Sequence, residues 1–156
     1  MKKEMIVEDI EKVIWEGANI LRGSMDTSSY KSVILTLLFL KFVSQGEEKD
    51  RKGIIVPEAA RWNRIEFYSK SQSIGEVIDT ALAALEGANP ELKDVLEKGF
   101  SKEMTDKRKL GQLVDLFSKA ECLKEQESLD VLGLAYEYCL RNFAEHGNKH
   151  AGEFYT

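Results

Sequence analysis

Cysteine and proline are scarce in this chain: Cys122 and Cys139 are its only thiols, and Pro57 and Pro90 its only prolines. Two isolated thiols without a CxxC spacing exclude a disulfide framework, and they fit a protein kept in a reducing compartment. Long apolar runs are missing too. The greasiest, VILTLLFLKFV from Val33 to Val43, is broken by Thr36 and Lys41 and is about half of the roughly 20 residues a bilayer span needs. It reads as a buried central helix, with no membrane role. Nor is there an excess of positive charge: the net charge is −5, with a pI of about 5.2. An overall field that gathers phosphates is therefore excluded, and any nucleic-acid contact must be local or shared with a more basic partner. The opening Lys2-Lys3 pair meets Glu8, Asp9 and Glu11 before an apolar core can form, so no export signal is expected and the location expected is cytoplasmic.

Catalytic signatures are equally absent. The sequence holds no GxGxxG, no P-loop and no serine or cysteine nucleophile with a companion base in context. His146 and His150 stand four apart, a spacing that would align two imidazoles on one helical face. Gly147 and Asn148 between them argue for a loop, and no acid or thiol completes a metal set. No catalytic residue and no metal ligand is expected in the chain itself.

What remains is helical periodicity. At 156 residues the chain fits one domain large enough to bury a core without staples. Ile10, Ile14, Ala18 and Leu21 form one stripe, and Gly23 follows where a left-handed residue would end the helix. Asp26 or Thr27 can cap the next helix, whose dense face is Tyr30, Val33, Ile34, Leu37 and Leu38. The charged stretch QGEEKDRKG, residues 45–53, reads as a solvated loop, and Pro57 can open a short helix running through Trp62. The tetrad Ser73 to Glu76 has the spacing of a capping box ahead of Ile74, Val77, Ile78, Ala81, Leu82 and Leu85, with Gly87 placed just past the end. Asn89-Pro90-Glu91 reads as cap, first-turn proline and first-turn acid of a short helix carrying Leu92, Val95 and Leu96. Leu110, Leu113, Val114 and Phe117 repeat the pattern, as do Leu132, Ala135, Tyr136, Cys139, Leu140 and Phe143. The expectation is an all-α bundle of six or seven amphipathic helices, with a short extended segment left open near 54–56 or 65–68.

Few residues stand out chemically. Lys107, Arg108 and Lys109 fall in the first turn of a predicted helix, where positive charge opposes the macrodipole by about 0.3–1 kcal/mol; Asp106 and Glu103 lie close enough to offset it. Arg61 and Arg64 flank Trp62, an interleaving that suits bracing a nucleic-acid backbone but equally a core tryptophan with arginines snorkelling beside it. Tyr30 sits on the apolar stripe, which favours a core role over stacking on a base.

Two stretches resemble a known family. IWEGANILRGSMDTSSYKSVILTLLFLKFVS, residues 14–44, is similar to the opening of the modification subunit of type I restriction–modification systems: a tryptophan helix, an L-R-G-x-M-D turn, then Y-K and an apolar helix ending F-L-K-F-V-S. LGLAYEYCLRNFAEHGNKHAGEFYT, residues 132–156, looks like that family's last helix before the catalytic domain, followed by its GEFYTP element. Cys139 stands where the pattern has leucine, an exchange of one apolar residue for another. PEAARW, IGEVIDTAL and NPELKDVL between these ends also fit.

The resemblance implies an N-terminal helical domain, residues 1–147, and a linker with the first residues of a catalytic domain, 148–156. It implies a parent that methylates adenine N6 of DNA from S-adenosylmethionine, with the base flipped into the catalytic domain. Asn89-Pro90 is followed by Glu91, so the family's Asn/Asp-Pro-Pro-aromatic element is not in this chain. By position, Glu153, Phe154, Tyr155 and Thr156 would be the leading edge of the cofactor site, and the chain would stop within the first motif of that domain. No cofactor affinity is expected for these residues alone. Partners implied are DNA, a DNA-reading specificity subunit, a second modification subunit and a nuclease subunit. DNA-contact candidates are Arg22, Lys31, Arg61, Arg64, Lys107, Arg108 and Lys109. The competing reading is a free-standing helical adaptor that binds proteins only. A helix-turn-helix repressor over residues 8–44 is a weaker one, because its second helix is apolar around its circumference.

Overall fold

The computed structural model describes residues 2–25, 27–45, 54–93, 99–100, 106–120 and 138. Among them are five α-helices, α1 (Lys2–Leu21), α2 (Thr27–Gln45), α3 (Trp62–Phe67), α4 (Ile74–Ala88) and α5 (Lys107–Lys119), and two 3-10 turns, Glu58–Ala60 and Pro90–Leu92. No strand occurs among the described residues, and the all-α expectation holds. The helix expected over 132–143 lies outside the described residues except for Tyr138, which is helical and packs against the core.

Helix α1 ends where the sequence places its stop. Gly23 adopts φ 91°, and the amide of Ser24 donates to the carbonyl of Leu21 at 3.0 Å; a side chain at a positive φ would be strained. The chain then reverses into α2, the hub of the fold. Tyr30, Val33, Ile34, Leu37, Leu38, Leu40, Phe42 and Val43 are all buried, along with Thr36, Lys41 and Ser44. An apolar helix of this kind must be covered on most sides, and α1, α3 and α5 all pack on it. Two of these three polar groups have visible partners. Ser44 donates to the carbonyl of Leu40, and the ammonium of Lys41 lies 5.6 Å from the centre of the Trp62 ring.

Four local expectations are corrected. Pro57 does not open a helix through Trp62: it precedes a 3-10 turn, and Arg61, at φ −71° and ψ 137°, is extended and breaks the path before α3. Residues 65–67, which the sequence allows to be extended, are helical, whereas 54–57 carry no regular structure. The capping box at Ser73 does not form. A cap residue needs extended backbone to hold its oxygen over the free amides, and Ser73 sits at φ −88°, ψ 5° with no side-chain cap bond. Ser71 Oγ instead accepts the amide of Ser73 at 3.0 Å. Helix α4 also runs through Gly87 to Ala88 rather than stopping before the glycine.

Asn89 does not make the side-chain cap expected of it but joins two other segments. Only 2% exposed, it caps no amide of the turn that follows. Its Oδ1 accepts the amide of Ile55 at 2.8 Å, and its Nδ2 donates to the carbonyls of Ile55 at 2.6 Å and Leu85 at 2.8 Å. One side chain thus satisfies both backbone groups of Ile55 as a neighbouring strand would, which lets irregular backbone lie against the core without orphaned polar groups. Asp79 plays a similar part, its Oδ1 accepting the amides of Gly99 and Phe100 at 3.1 and 2.8 Å.

Candidate nucleic-acid interface

The first turn of α5 is built as the sequence suggests. Asp106 has extended backbone, and its carboxylate accepts the amide of Lys109 at 3.2 Å, placing negative charge at the positive end of the helix. Lys109 then turns away from the other two cations. Its ammonium donates to Ser24 Oγ at 2.6 Å, which docks the start of α5 onto the turn that carries Arg22. The guanidinium of Arg22 covers the Trp15 ring at 5.1 Å.

Lys107 and Arg108 line a groove of about 570 Å³ between α5 and the turn over residues 69–72. Lys70 joins them from that turn, with Ser71, Gln72 and Gln112 as polar lining and Asp115 as the acid within it. Gly111 makes the groove possible. A Cβ at this position would lie 1.9 Å from the carbonyl oxygen of Ser69, so only glycine lets the helix backbone approach the turn so closely. Charge pattern in the sequence does not single out Lys70.

Arg61 and Arg64 lie elsewhere, on the rim of a broad concavity of about 1300 Å³ beside α3. The Arg64 guanidinium stands 5.3 Å from the centre of the Tyr68 ring, and Phe67 meets Tyr68 edge-on at 5.1 Å. Trp62 lines the same concavity but offers it little surface. The residue is 4% exposed and its Nε1 donates to Ser118 Oγ at 2.8 Å, so it anchors α3 to α5 with half-exposed Arg61 and exposed Arg64 beside it. Tyr30 is buried, as its stripe position implied, and Lys31 is half-buried on α2. Glu153, Phe154, Tyr155 and Thr156 lie outside the described residues, as do His146 and His150. Among the described residues no three His, Cys, Asp or Glu side chains gather as a metal site, and no helix is long and apolar enough to cross a membrane.

Two family profiles match the chain. Residues 10–117 match the HsdM N-terminal domain, and residues 127–156 match the N-6 DNA Methylase family. The chain is 30% identical to the methylase subunit of the type I restriction enzyme MjaIX of Methanocaldococcus jannaschii, over 97% of this chain and 34% of the relative. It is 24% identical to the MpnII methylase subunit of Mycoplasma pneumoniae, over 94% of this chain and 37% of the relative. Against the HindI methylase subunit of Haemophilus influenzae it is 28% identical, over 65% of this chain and 27% of the relative. The chain thus spans about a third of the length of these curated relatives. A helical domain matched over residues 10–117 by one profile, with relatives of this description, belongs to the HsdM N-terminal domain family of type I restriction enzyme methylase subunits.

Proposed function

We propose that this chain is the non-catalytic helical part of a DNA adenine-N6 methyltransferase subunit, and that it helps close that subunit around DNA while contacting partner subunits. The parent takes its methyl group from S-adenosylmethionine and works in the cytoplasm. It assembles with a DNA-reading specificity subunit, a second modification subunit and, for restriction, a nuclease subunit. Support comes from the family match and from the N-6 DNA Methylase profile over residues 127–156.

The observation that carries the DNA half of the reading is the groove in which Lys70 joins Lys107 and Arg108. Cations from two separate elements around one groove can bracket a phosphodiester without reading a base. Such contacts fix the register of the duplex and leave sequence recognition to another subunit. They also suit an acidic chain, because their strength comes from local counterion release rather than net charge. Arg22, Lys31, Arg61 and Arg64 are retained as further contacts.

The test is the salt dependence of DNA binding by the assembled complex. Charge reversal at Lys107, Arg108 and Lys109 weakens binding and flattens the plot of log K against log salt, by about 0.9 for each phosphate that is no longer neutralised. Lys70→Glu adds to this effect, while Lys109→Glu alone adds little because that ammonium is engaged by Ser24. An unchanged slope removes the groove from the proposal. For the cofactor, Glu153, Phe154, Tyr155 and Thr156 are retained as candidate contacts of the parent, and calorimetry on the 156-residue chain is expected to give no S-adenosylmethionine signal. Tight binding there would refute that expectation.

A further inference from the structure

The basic groove continues into a surface of another kind. Phe67 is 80% exposed, the most exposed of the large hydrophobic residues, yet its ring is held: it meets Tyr68 edge-on at 5.1 Å, and the Arg64 guanidinium covers Tyr68. The chain leaves this pair through two overlapping turns, the amide of Ser69 donating to the carbonyl of Glu66 at 3.1 Å and that of Ser71 to the carbonyl of Tyr68 at 3.0 Å. Lys70 stands within them. It follows Phe67 by three residues, a span of at most about 11 Å between Cα atoms, so ring and cation ride on one braced segment. Residues 66–68 of that segment line the concavity beside α3, and residues 69–72 line the groove with Lys107 and Arg108.

The two depressions differ in charge. In the groove Lys70, Lys107 and Arg108 face Asp115 alone, whereas in the concavity Arg61 and Arg64 are matched by Glu58 and Glu66, with Asn63 and the two rings beside them. A phosphate therefore gains from the groove and little from the concavity. A base gains from the concavity, which offers an aromatic face to stack on and polar groups for its edge. We propose that this segment holds an unpaired stretch of DNA strand, with a base stacked on Phe67 and the neighbouring phosphates in the groove. The charge division selects a single strand over a duplex. A ring wedged into a duplex has a phosphate backbone on either side of it and calls for cations on both; here cations outnumber acids on one side only. A single strand carries its bases to one side and its phosphates to the other, the same division as the protein surface. Rested on the DNA half of the reading above, the proposal adds that the strand gripped by the groove is unpaired there.

Fluorescence anisotropy of the 156-residue chain with a labelled DNA strand of about 12 nucleotides, within the site sizes of such platforms, tests it against the same strand fully paired. The single strand binds more tightly than the duplex. Phe67→Leu, which keeps an apolar side chain but no ring, weakens the single strand about tenfold, the loss of one stacked base, and leaves the duplex unchanged; Phe67→Tyr retains the affinity. Stacking releases no counterion, so Phe67→Leu keeps the slope of log K against log salt, whereas Lys70→Glu flattens it by about 0.7 for each phosphate let go. Melting curves confirm that the variants fold, since both side chains are exposed. Duplex binding as tight as that of the single strand overturns the proposal, as does a single strand that does not bind at all. Phe67 variants without effect, beside a slope that Lys70→Glu still flattens, remove the stacking site, leave the groove standing and hand the ridge to a protein partner. A slope unmoved by Lys70→Glu removes the groove and the proposal together.

Discussion

Helix α2 is buried around most of its circumference, whereas α5 hides one stripe of Leu110, Gly111, Leu113, Val114 and Phe117 and keeps Arg108, Gln112 and Lys119 in solvent. The two helices touch, yet they do different work. A helix that other helices wrap on most sides has little surface left with which to meet a ligand, so α2 mainly holds the others in place, with half-buried Lys31 near its start the exception. Helix α5 is fastened from one side and is free to offer charge on the other. The division also disposes of a repressor-like reading of residues 8–44: the second helix of that unit, where a recognition helix would be, is core. Exposed charge is thus displaced to the rims, to the α5 groove and the short α3.

The sharpest way to break the comparison is to treat both helices alike. Leu37→Ala empties a fully buried site at the centre of α2 and is expected to cost about 2–5 kcal/mol, the range for a leucine removed from a close-packed core. Gln112→Ala on the open face of α5 should stay within about 0.5 kcal/mol. Urea denaturation midpoints of the two variants measure the contrast, and similar losses would mean that α5 is as deeply embedded as α2.

Glycines sharpen it further, because α5 is seated by two close approaches of unequal rigidity. At Gly111 an added methyl meets the Ser69 carbonyl oxygen at 1.9 Å, and backbone cannot step aside without moving the turn. Gly111→Ala is therefore expected to cost about 1–3 kcal/mol as overpacking, and to weaken DNA binding by carrying Lys70 away from Lys107 and Arg108. At Gly17 on α1 the methyl crowds Leu113 Cδ1 at 2.9 Å, the end of a side chain that can rotate, and meets Ile34 at an ordinary 3.8 Å. Gly17→Ala should be near neutral, since the gain of up to about 1 kcal/mol in helix propensity offsets the crowding. Thermal melts of the pair read the difference directly.

The periodic stripes in the sequence named the buried faces well: Ile10, Ile14, Ala18 and Leu21 on α1, and Ile74, Val77, Ile78, Ala81, Leu82 and Leu85 on α4, are all core. Burial follows from a repeat that any helix of that sequence must satisfy, so it is legible without a partner. The hydrogen bonds of Asn89 to Ile55 and of Asp79 to Gly99 and Phe100 were not legible, because they join residues 34, 20 and 21 positions apart and depend on how the elements meet. The same holds for the site. The run Lys107–Lys109 is conspicuous by its charge, but its division into two groove cations and one structural lysine, and the arrival of Lys70, are consequences of packing.

The smallest effect separates two helix starts that look equally well capped in sequence. Both α4 and α5 follow a side chain able to accept a free amide, Ser73 in one and Asp106 in the other, but only Asp106 has the extended backbone that brings its oxygen over the first turn. Asp106→Ala removes a formed bond to Lys109 and a negative charge from the positive helix end, and should cost about 1 kcal/mol. Ser73→Ala removes no cap bond and should fall within about 0.5 kcal/mol. Hydrogen exchange at the amide of Lys109 checks the first locally, since loss of the carboxylate should speed its exchange without changing that of Leu113 deeper in the helix. Equal losses at the serine and aspartate sites would show that the start of α4 draws on its hydroxyl after all, and that local backbone geometry is not what decides which cap forms.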